Sequence, residues 1–548
     1  MYANKLKKGK KGKKGKRRNE IRLGDLRIQK LSYIPPHEII TKEDLEKLNR
    51  KIEYRINCYS LDSLLLMIHD SYLAKQFPPF IAGMMTKYAL LNSDLGHGYS
   101  IYDENDLATY EEEFYKLLEM ICGYSVYDPF LDQESEIMND QNKWASFILR
   151  KIGSQVRWNI PLHNMLGRTI FLYDELAKSD QAPNFIKNLV SKEFEDKFGF
   201  PLLDFIKMGF LIFAGSNKPK GLTRKYFEVA RTHGVPIVSD EIISKCLEHV
   251  TCSPKKFKQL CLENDYGEEF LRAYKFNPLF SYPLIRPWDR QTKELEEDRF
   301  IAPIPELVLY RFTTGLYYQF VNNFGLEFNT SFGRLFEQYF GEILKWFNLP
   351  GIILSENDIE NLLPKYTGKK PDWTILCEYG TIFFECKATK YSQDIYEHGI
   401  DAKNDSIGCI RHINTAVLQF DEFEEKIPIL NKKFGFNYSK KDLLKYIVTF
   451  EPLLGLKEGP VRHWFEKGKS KEDSKMDWHV IWIGELEAIQ PYITRGASLW
   501  NFLKRYWEED INSLIDEMRS ETGSSYVEGI LYQYEEKIFD ELLKNQPK

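Results

Sequence analysis

Between Lys42 and Phe276, apolar residues recur at three- and four-residue steps. Leu61 to Leu73, Thr109 to Ile121, Asn184 to Phe194, Pro201 to Phe213 and Asp240 to Val250 each carry the stripe of an amphipathic helix. Residues 21–300 therefore read as a large, mainly α-helical domain. Pro278, Pro283, Pro287, Pro303 and Pro305 mark its joint with the C-terminal half of the chain. Pro305 to Phe320 reads as a long helix leading into a second one, where Phe336, Phe340, Ile343 and Phe347 repeat at helical spacing. The period then changes. Trp373 to Cys377 and Thr381 to Cys386 are rich in β-branched and aromatic residues, with a turn signal at Tyr379-Gly380 between them. Asn414 to Glu425 returns to helix, while Leu444 to Phe450 and Trp478 to Ile483 are apolar runs typical of strands covered on both faces. The pattern predicts an α/β layer over residues 301–500, closed by helices over 501–548.

The hairpin carries an unexpected charge pattern. With a two-residue turn at Tyr379-Gly380, Glu378 pairs with Thr381, Asp372 lies opposite Lys387, and Glu385 is the diagonal neighbour of Asp372. Strand side chains alternate faces, so Asp372, Glu385 and Lys387 share one face, about 5 to 8 Å from one another. Trp373, Ile375, Cys377, Ile382, Phe384 and Cys386 take the other face and read as core. Burying unpaired charges costs several kcal/mol, so a purely structural role demands a salt bridge of unusually good geometry. As a functional site, the two carboxylates are hard oxygen ligands for Mg²⁺ or Mn²⁺, and the lysine suits a water or a developing phosphate charge.

A third carboxylate, Glu337, flanks the apolar stripe of the preceding helix, one turn before the small Gly341. On Pro371-Asp372, Glu385-Cys386-Lys387 and Glu337, the region of about 325–500 resembles the PD-(D/E)xK nuclease superfamily. The resemblance implies a restriction-endonuclease-like core, a mixed sheet flanked by helices, with the order helix, three strands, helix, strand. It implies Asp372 and Glu385 as metal ligands, Lys387 as the catalytic lysine and Glu337 as an accessory carboxylate. It also implies a metal-facing backbone carbonyl at Cys386 and a supporting glutamine, for which Gln419 is placed. The activity it implies is hydrolysis of phosphodiesters with Mg²⁺ or Mn²⁺, in DNA rather than RNA. By analogy, the role is restriction-like or anti-invader, in a prokaryotic cytosol. A repair nuclease acting on branched or single-stranded ends is the enzymatic alternative, and an idle nucleic-acid-binding sensor the non-enzymatic one.

Composition adjusts this picture in a few places. The chain has 548 residues, 43% of them hydrophobic, enough for two or three domains with sizeable cores. No apolar run approaches the ~18 residues of a membrane span. No phosphate-binding Gly-x-x-x-x-Gly-Lys-Ser/Thr loop occurs, which argues against a nucleotide-driven motor, and neither hydrolase triad nor His-Glu-x-x-His signatures are present. Ten of the 75 basic residues lie in the first eighteen, leaving 65 against 80 acidic ones, a formal −15. Such a Lys-Gly segment reads as a disordered basic tail over residues 1–20, suited to phosphates or simply to solvation. The eight scattered cysteines suit reduced thiols. Cys246, His249, Cys252 and Cys261 have spacing compatible with zinc but also with two helix faces. Basic residues beside the hairpin, Lys369 and Lys370, and in the connection from Leu456 to Asp477, Arg462, Lys467 and Lys469 around Trp464, are candidates for gripping nucleic acid. The helical domain is expected to clamp substrate or to bind a partner protein.

Overall fold

A computed structural model describes residues 20–23, 26–29, 42–92, 99–100, 107–126, 140–158, 164–233, 235, 238–264, 275–287, 298–402, 406–453, 456, 461–462, 477–506, 508–509, 511–523 and 529–543. Residues 1–19 of the basic tail, Lys467 and Lys469 lie outside them. Residues Met1–Glu38 form a unit of their own, whose described part is an antiparallel hairpin pairing Glu20–Leu23 with Leu26–Gln29. All else, from Ile39 to Lys548, is one compact unit.

In that unit the amphipathic segments fold as helices. Leu61–Leu73 and Asp240–Val250 form with the ends their periodicity predicts, the latter capped by Ser239, whose hydroxyl accepts from the Ile242 N–H at 3.3 Å. The helix expected over Pro201 to Phe213 runs Leu202–Ser216. Helices Lys42–Ile56, Leu61–Leu73, Pro79–Asn92 and Leu107–Val126 share one hydrophobic core. A second core runs from Leu166 to Ile538, straight across the joint expected near residue 300. Phe205 packs against Phe312 with ring centroids 4.3 Å apart, and a Cβ at Gly209 would meet the Phe312 side chain at 2.2 Å. The helical half and the sheet are therefore welded by shared apolar burial, each such aromatic contributing about 1.5–3 kcal/mol.

The expected single helix from Pro305 to Phe320 is interrupted. Pro305–Phe312 ends at Thr313, and Leu316–Trp346 comes after it. Gly325, at φ 59° and ψ −135°, breaks this second helix in a conformation open to glycine.

The sheet has five strands: β1 (Gly351–Ser355), β2 (Trp373–Cys377), β3 (Gly380–Lys387), β4 (Leu443–Thr449) and β5 (Trp478–Trp482). Their spatial order is β5-β4-β3-β2-β1. β1, β2 and β3 are antiparallel neighbours, whereas β3, β4 and β5 run parallel, so the sheet is mixed. β1 was not among the expected strands; its Ile352-Ile353-Leu354 run is its only mark in the sequence. One face packs on the long helix, through Phe340 against Phe384 and Gly341 against Trp373, where a Cβ would sit 2.2 Å from the indole. Helix Ser406–Glu424 covers the other face through Phe420 and Phe423 against Phe383. No single described helix is long and apolar enough to cross a membrane.

Candidate active site

The hairpin turns one residue earlier than expected, which shifts its pairing by two. Cys377 pairs with Gly380 and Trp373 with Phe384, so Glu378 and Tyr379 form the turn. A side chain at Gly380 would collide with the Asp442 carbonyl at 2.2 Å and the Trp500 ring at 2.4 Å, which holds glycine on the strand instead of in the loop. This register brings Asp372 beside Glu385, with Lys387 the diagonal neighbour. A pairing shift of two residues leaves every side chain on its face, so the shared face of Asp372, Glu385 and Lys387 survives the correction.

The backbone locks the group. The Asp372 N–H donates to Glu385 Oε2 at 3.2 Å, and the Cys386 N–H donates to Asp372 Oδ2 at 2.6 Å. The Asp372 carbonyl accepts from the Glu356 N–H at 2.9 Å, at the start of a helix whose Ser355 and Asp358 form a reciprocal cap. Lys387 Nζ donates to Glu385 Oε1. Glu385 is 1% exposed and Lys387 remains partly open.

Glu337 and Gln419 arrive from the two helices that sandwich the sheet. The Trp373 indole N–H donates to the Glu337 carbonyl at 3.2 Å, tying that turn of the long helix to β2. Gln419 bonds the Glu385 carboxylate and donates to the Lys370 carbonyl at 3.2 Å. Burial raises the Asp372 carboxyl well above its ordinary range, and Glu385 and Glu337 push it further. Burial likewise raises Glu385 against the opposing pull of Lys387. Glu337 is pushed up to about 7, by burial first, with Lys387 opposing and Glu385 adding. Burial pulls Lys387 down, but the Glu385 and Asp372 charges outweigh it and its pKa is raised. Three carboxyls gathered around one ammonium are hard oxygen donors, the donor type that Mg²⁺ and Mn²⁺ take. The Cys386 thiol is core and not ligand: it is 4% exposed and burial pushes it far up.

Other expected residues fall elsewhere. Lys369 is exposed beside the site, its N–H on Glu422 Oε1 at 3.3 Å. Lys370 is not a free cation; it is buried and its Nζ bonds Glu360 at 2.9 Å. Arg462 is also withdrawn, 2% exposed, donating to the Trp478 carbonyl at 2.6 Å and lying over the Trp478 ring, so it braces β5 instead of presenting itself to a backbone. The zinc spacing dissolves as well. Cys246 belongs to one core and Cys252 and Cys261 to the other, while His249 Nε2 is engaged by Arg311 and Gln319. The cluster of acids with metal-compatible spacing among the described residues, Asp421, Glu424 and Asp477, surrounds the Lys445 ammonium, which already occupies its centre.

Glu337 and Lys387 open into a cleft of about 1690 Å³ walled by both halves of the unit. Arg411, His412 and Thr415 line it from helix Ser406–Glu424. The Lys387 charge acts on His412, whose pKa is lowered by burial first and by Lys387 next. These residues had a signal in the sequence, since His412 precedes Gln419 by two helical turns and so shares its face. Lys390, three residues past Lys387, lies 3.2 Å from the Tyr318 ring centroid. Deeper, Arg168 holds Glu487 in a bidentate pair at 2.6 Å, and the Tyr339 hydroxyl donates to the same carboxylate at 2.7 Å. No family model matches the chain, no curated protein matches its sequence and no solved structure matches its fold.

Proposed function

We propose that this protein is a divalent-metal-dependent nuclease of the PD-(D/E)xK type that hydrolyses phosphodiester bonds, with DNA as the expected substrate and restriction-like defence as the expected role. The observation that carries the reading is the meeting of Asp372, Glu385, Lys387, Glu337 and Gln419, of which Glu337 and Lys387 open into a wide cleft. The five-stranded mixed sheet with helices on both faces is compatible with a restriction-endonuclease-like core.

In this reading Asp372 and Glu385 hold the ion, and Glu337 adds a further oxygen from the helix. The ion, when bound, supplies a polarised phosphoryl oxygen and a water of lowered pKa. Gln419 fixes the rotamer of Glu385. Lys387, kept cationic by its carboxylate neighbours, orients the attacking water or offsets the charge that grows on the phosphate.

The test is incubation of the purified chain with supercoiled plasmid, linear DNA and RNA in Mg²⁺ or Mn²⁺. Cleavage is expected with either ion and none in excess EDTA, while Ca²⁺ should support binding with little turnover, because its looser coordination positions the water poorly. Undiminished cutting in EDTA overturns the mechanism. An unmarked substrate under every metal tried overturns the activity.

A further inference from the structure

A different part of the cleft wall carries a cation with no acid partner among the described residues. Arg311 closes helix Pro305–Phe312, and His249 lies in the last turn of Asp240–Val250. An Arg311 terminal N–H donates to His249 Nε2 at 3.0 Å, and the Gln319 amide lies 2.9 Å from the same nitrogen. A ring nitrogen that accepts from Arg311 carries no hydrogen, so the imidazole is assigned as neutral. Its enclosure by Phe198 and Phe205, at 5.2 and 5.5 Å, agrees, since burial first and the Arg311 charge second lower its pKa to about 4. His249 therefore props the guanidinium without cancelling its charge.

The groups acting on the Arg311 charge are the Tyr282 and Tyr310 phenols, with no carboxylate among them. Its Nε is sealed from solvent and has no hydrogen-bond partner among the described residues. Burial lowers its pKa only to about 10, so the cation persists at neutral pH. Arg168, which lines the same cleft, is saturated by Glu487. A partly buried guanidinium without a counter-ion is destabilising, and an anion is what would offset it. Lys256 adds a second charge, its Nζ 4.2 Å from the Tyr282 ring centroid.

We propose that Arg311, propped by His249 and joined by Lys256, forms a phosphate subsite that takes a backbone phosphate of the nucleic-acid strand lying in the cleft. The inference rests on the nuclease reading and extends it. A guanidinium fork matches phosphate oxygens in pairs. The same phosphate chemistry occurs in a free nucleotide. The strand is favoured because Arg311 and Lys256 line one cleft with Glu337 and Lys387.

The experiment is binding of fluorescent oligothymidylate to the full chain in EDTA, across a salt series, with thymidine monophosphate and inorganic phosphate as separate probes. Arg311→Gln should weaken oligonucleotide binding by about tenfold, as for loss of a charged hydrogen bond. It should also reduce the log–log salt slope by about 0.7. Arg311→Lys should restore part of both. Lys256→Gln, at an exposed position, should flatten the slope with a smaller loss of affinity. Unchanged affinity and slope in Arg311→Gln overturn the subsite, and if that variant loses its melting transition, unchanged values in Lys256→Gln overturn it instead. Arg311-dependent binding of the monophosphate at the oligonucleotide's affinity overturns the assignment to a strand in favour of a free nucleotide. The two readings fail separately. Cleavage by the wild type with Arg311-independent binding removes the subsite alone, and Arg311-dependent binding without cleavage in any metal removes the nuclease alone.

Discussion

Lys387 and Lys445 stand on the same face of the sheet beneath helix Ser406–Glu424, and each lies among three carboxyl groups. Their burial is inverted. The Lys445 side chain is 2% exposed, while Asp421 and Asp477 are 51% and 52% exposed, so the cation is inside and two of its three acids meet water. At the hairpin the Glu385 side chain is 1% exposed and Lys387 21%, so an acid is inside and the lysine reaches outward. An ammonium has three donors, and Lys445 spends them on Asp421, Glu424 and Asp477. Buried carboxylates that share one lysine keep oxygen lone pairs unspent, and Glu385 raises the pKa of both Asp372 and Glu337. The same residue types thus make a saturated brace at one end of the sheet and, at the other, a group of carboxyls with acceptor capacity left over.

The sharpest way to break this comparison is to remove each lysine. Lys387→Ala should lower cleavage by about 10²–10³-fold or more, as for other groups that stabilise developing charge, while nucleic-acid binding in EDTA stays near wild type. Gel-based rates and fluorescence binding on the same preparation check both halves. A cleaving Lys387→Ala protein would reduce this lysine to a second brace.

Lys445→Ala should do the opposite. Removing a buried cation from its acids costs about 3–5 kcal/mol, reduced here toward about 3 because two of the acids are half in water. Urea denaturation should register that loss, and the folded fraction should still cleave.

Metal should distinguish the clusters next. At a hundredfold excess over Kd, binding adds about 2.7 kcal/mol to stability. The rise in melting temperature with Mn²⁺ should vanish in Glu385→Gln and persist in Glu424→Gln. The reverse result would transfer the metal to the Lys445 cluster.

The smallest effect tests the third buried charge, Arg311. The His249 pKa is lowered to about 4 in the folded protein, by burial first and by Arg311 next. The stability it contributes is therefore fully present above its unfolded pKa of about 6.5 and is lost as pH falls toward about 4. In urea denaturation the advantage of wild type over His249→Gln should shrink by on the order of 2 kcal/mol between those limits. A constant advantage would mean that the imidazole takes up its proton as readily in the folded protein as in the unfolded chain, so that neither burial nor Arg311 holds it neutral.

Much of the local structure could be read from the residues alone. Strand periodicity placed Asp372, Glu385 and Lys387 on one face even though the assumed pairing was two residues away from the observed one. A two-residue error is harmless because side chains alternate with period two. Helical spacing located Leu61–Leu73 and Asp240–Val250 for a related reason: both patterns are set by contacts a few residues apart. Chemistry with no local signature was misplaced. Lys370 and Arg462 look like free cations in the sequence, yet Glu360, the Trp478 carbonyl and the Trp478 ring claim them.

The sequence by itself determined many of the elements and the shared face of the charged triad, because backbone periodicity and turn chemistry are local. Only the tertiary structure decided that the helices carrying Glu337 and Gln419 close on the hairpin from opposite faces, that β3 and β4 run parallel, and that Arg168 and Glu487, 319 residues apart, close one buried ion pair. It also decided that Arg311 has no acid partner among the described residues while Lys445 is given three. Those outcomes depend on which distant surfaces exclude water together, and burial across such separations has no period in the chain for a reader to find.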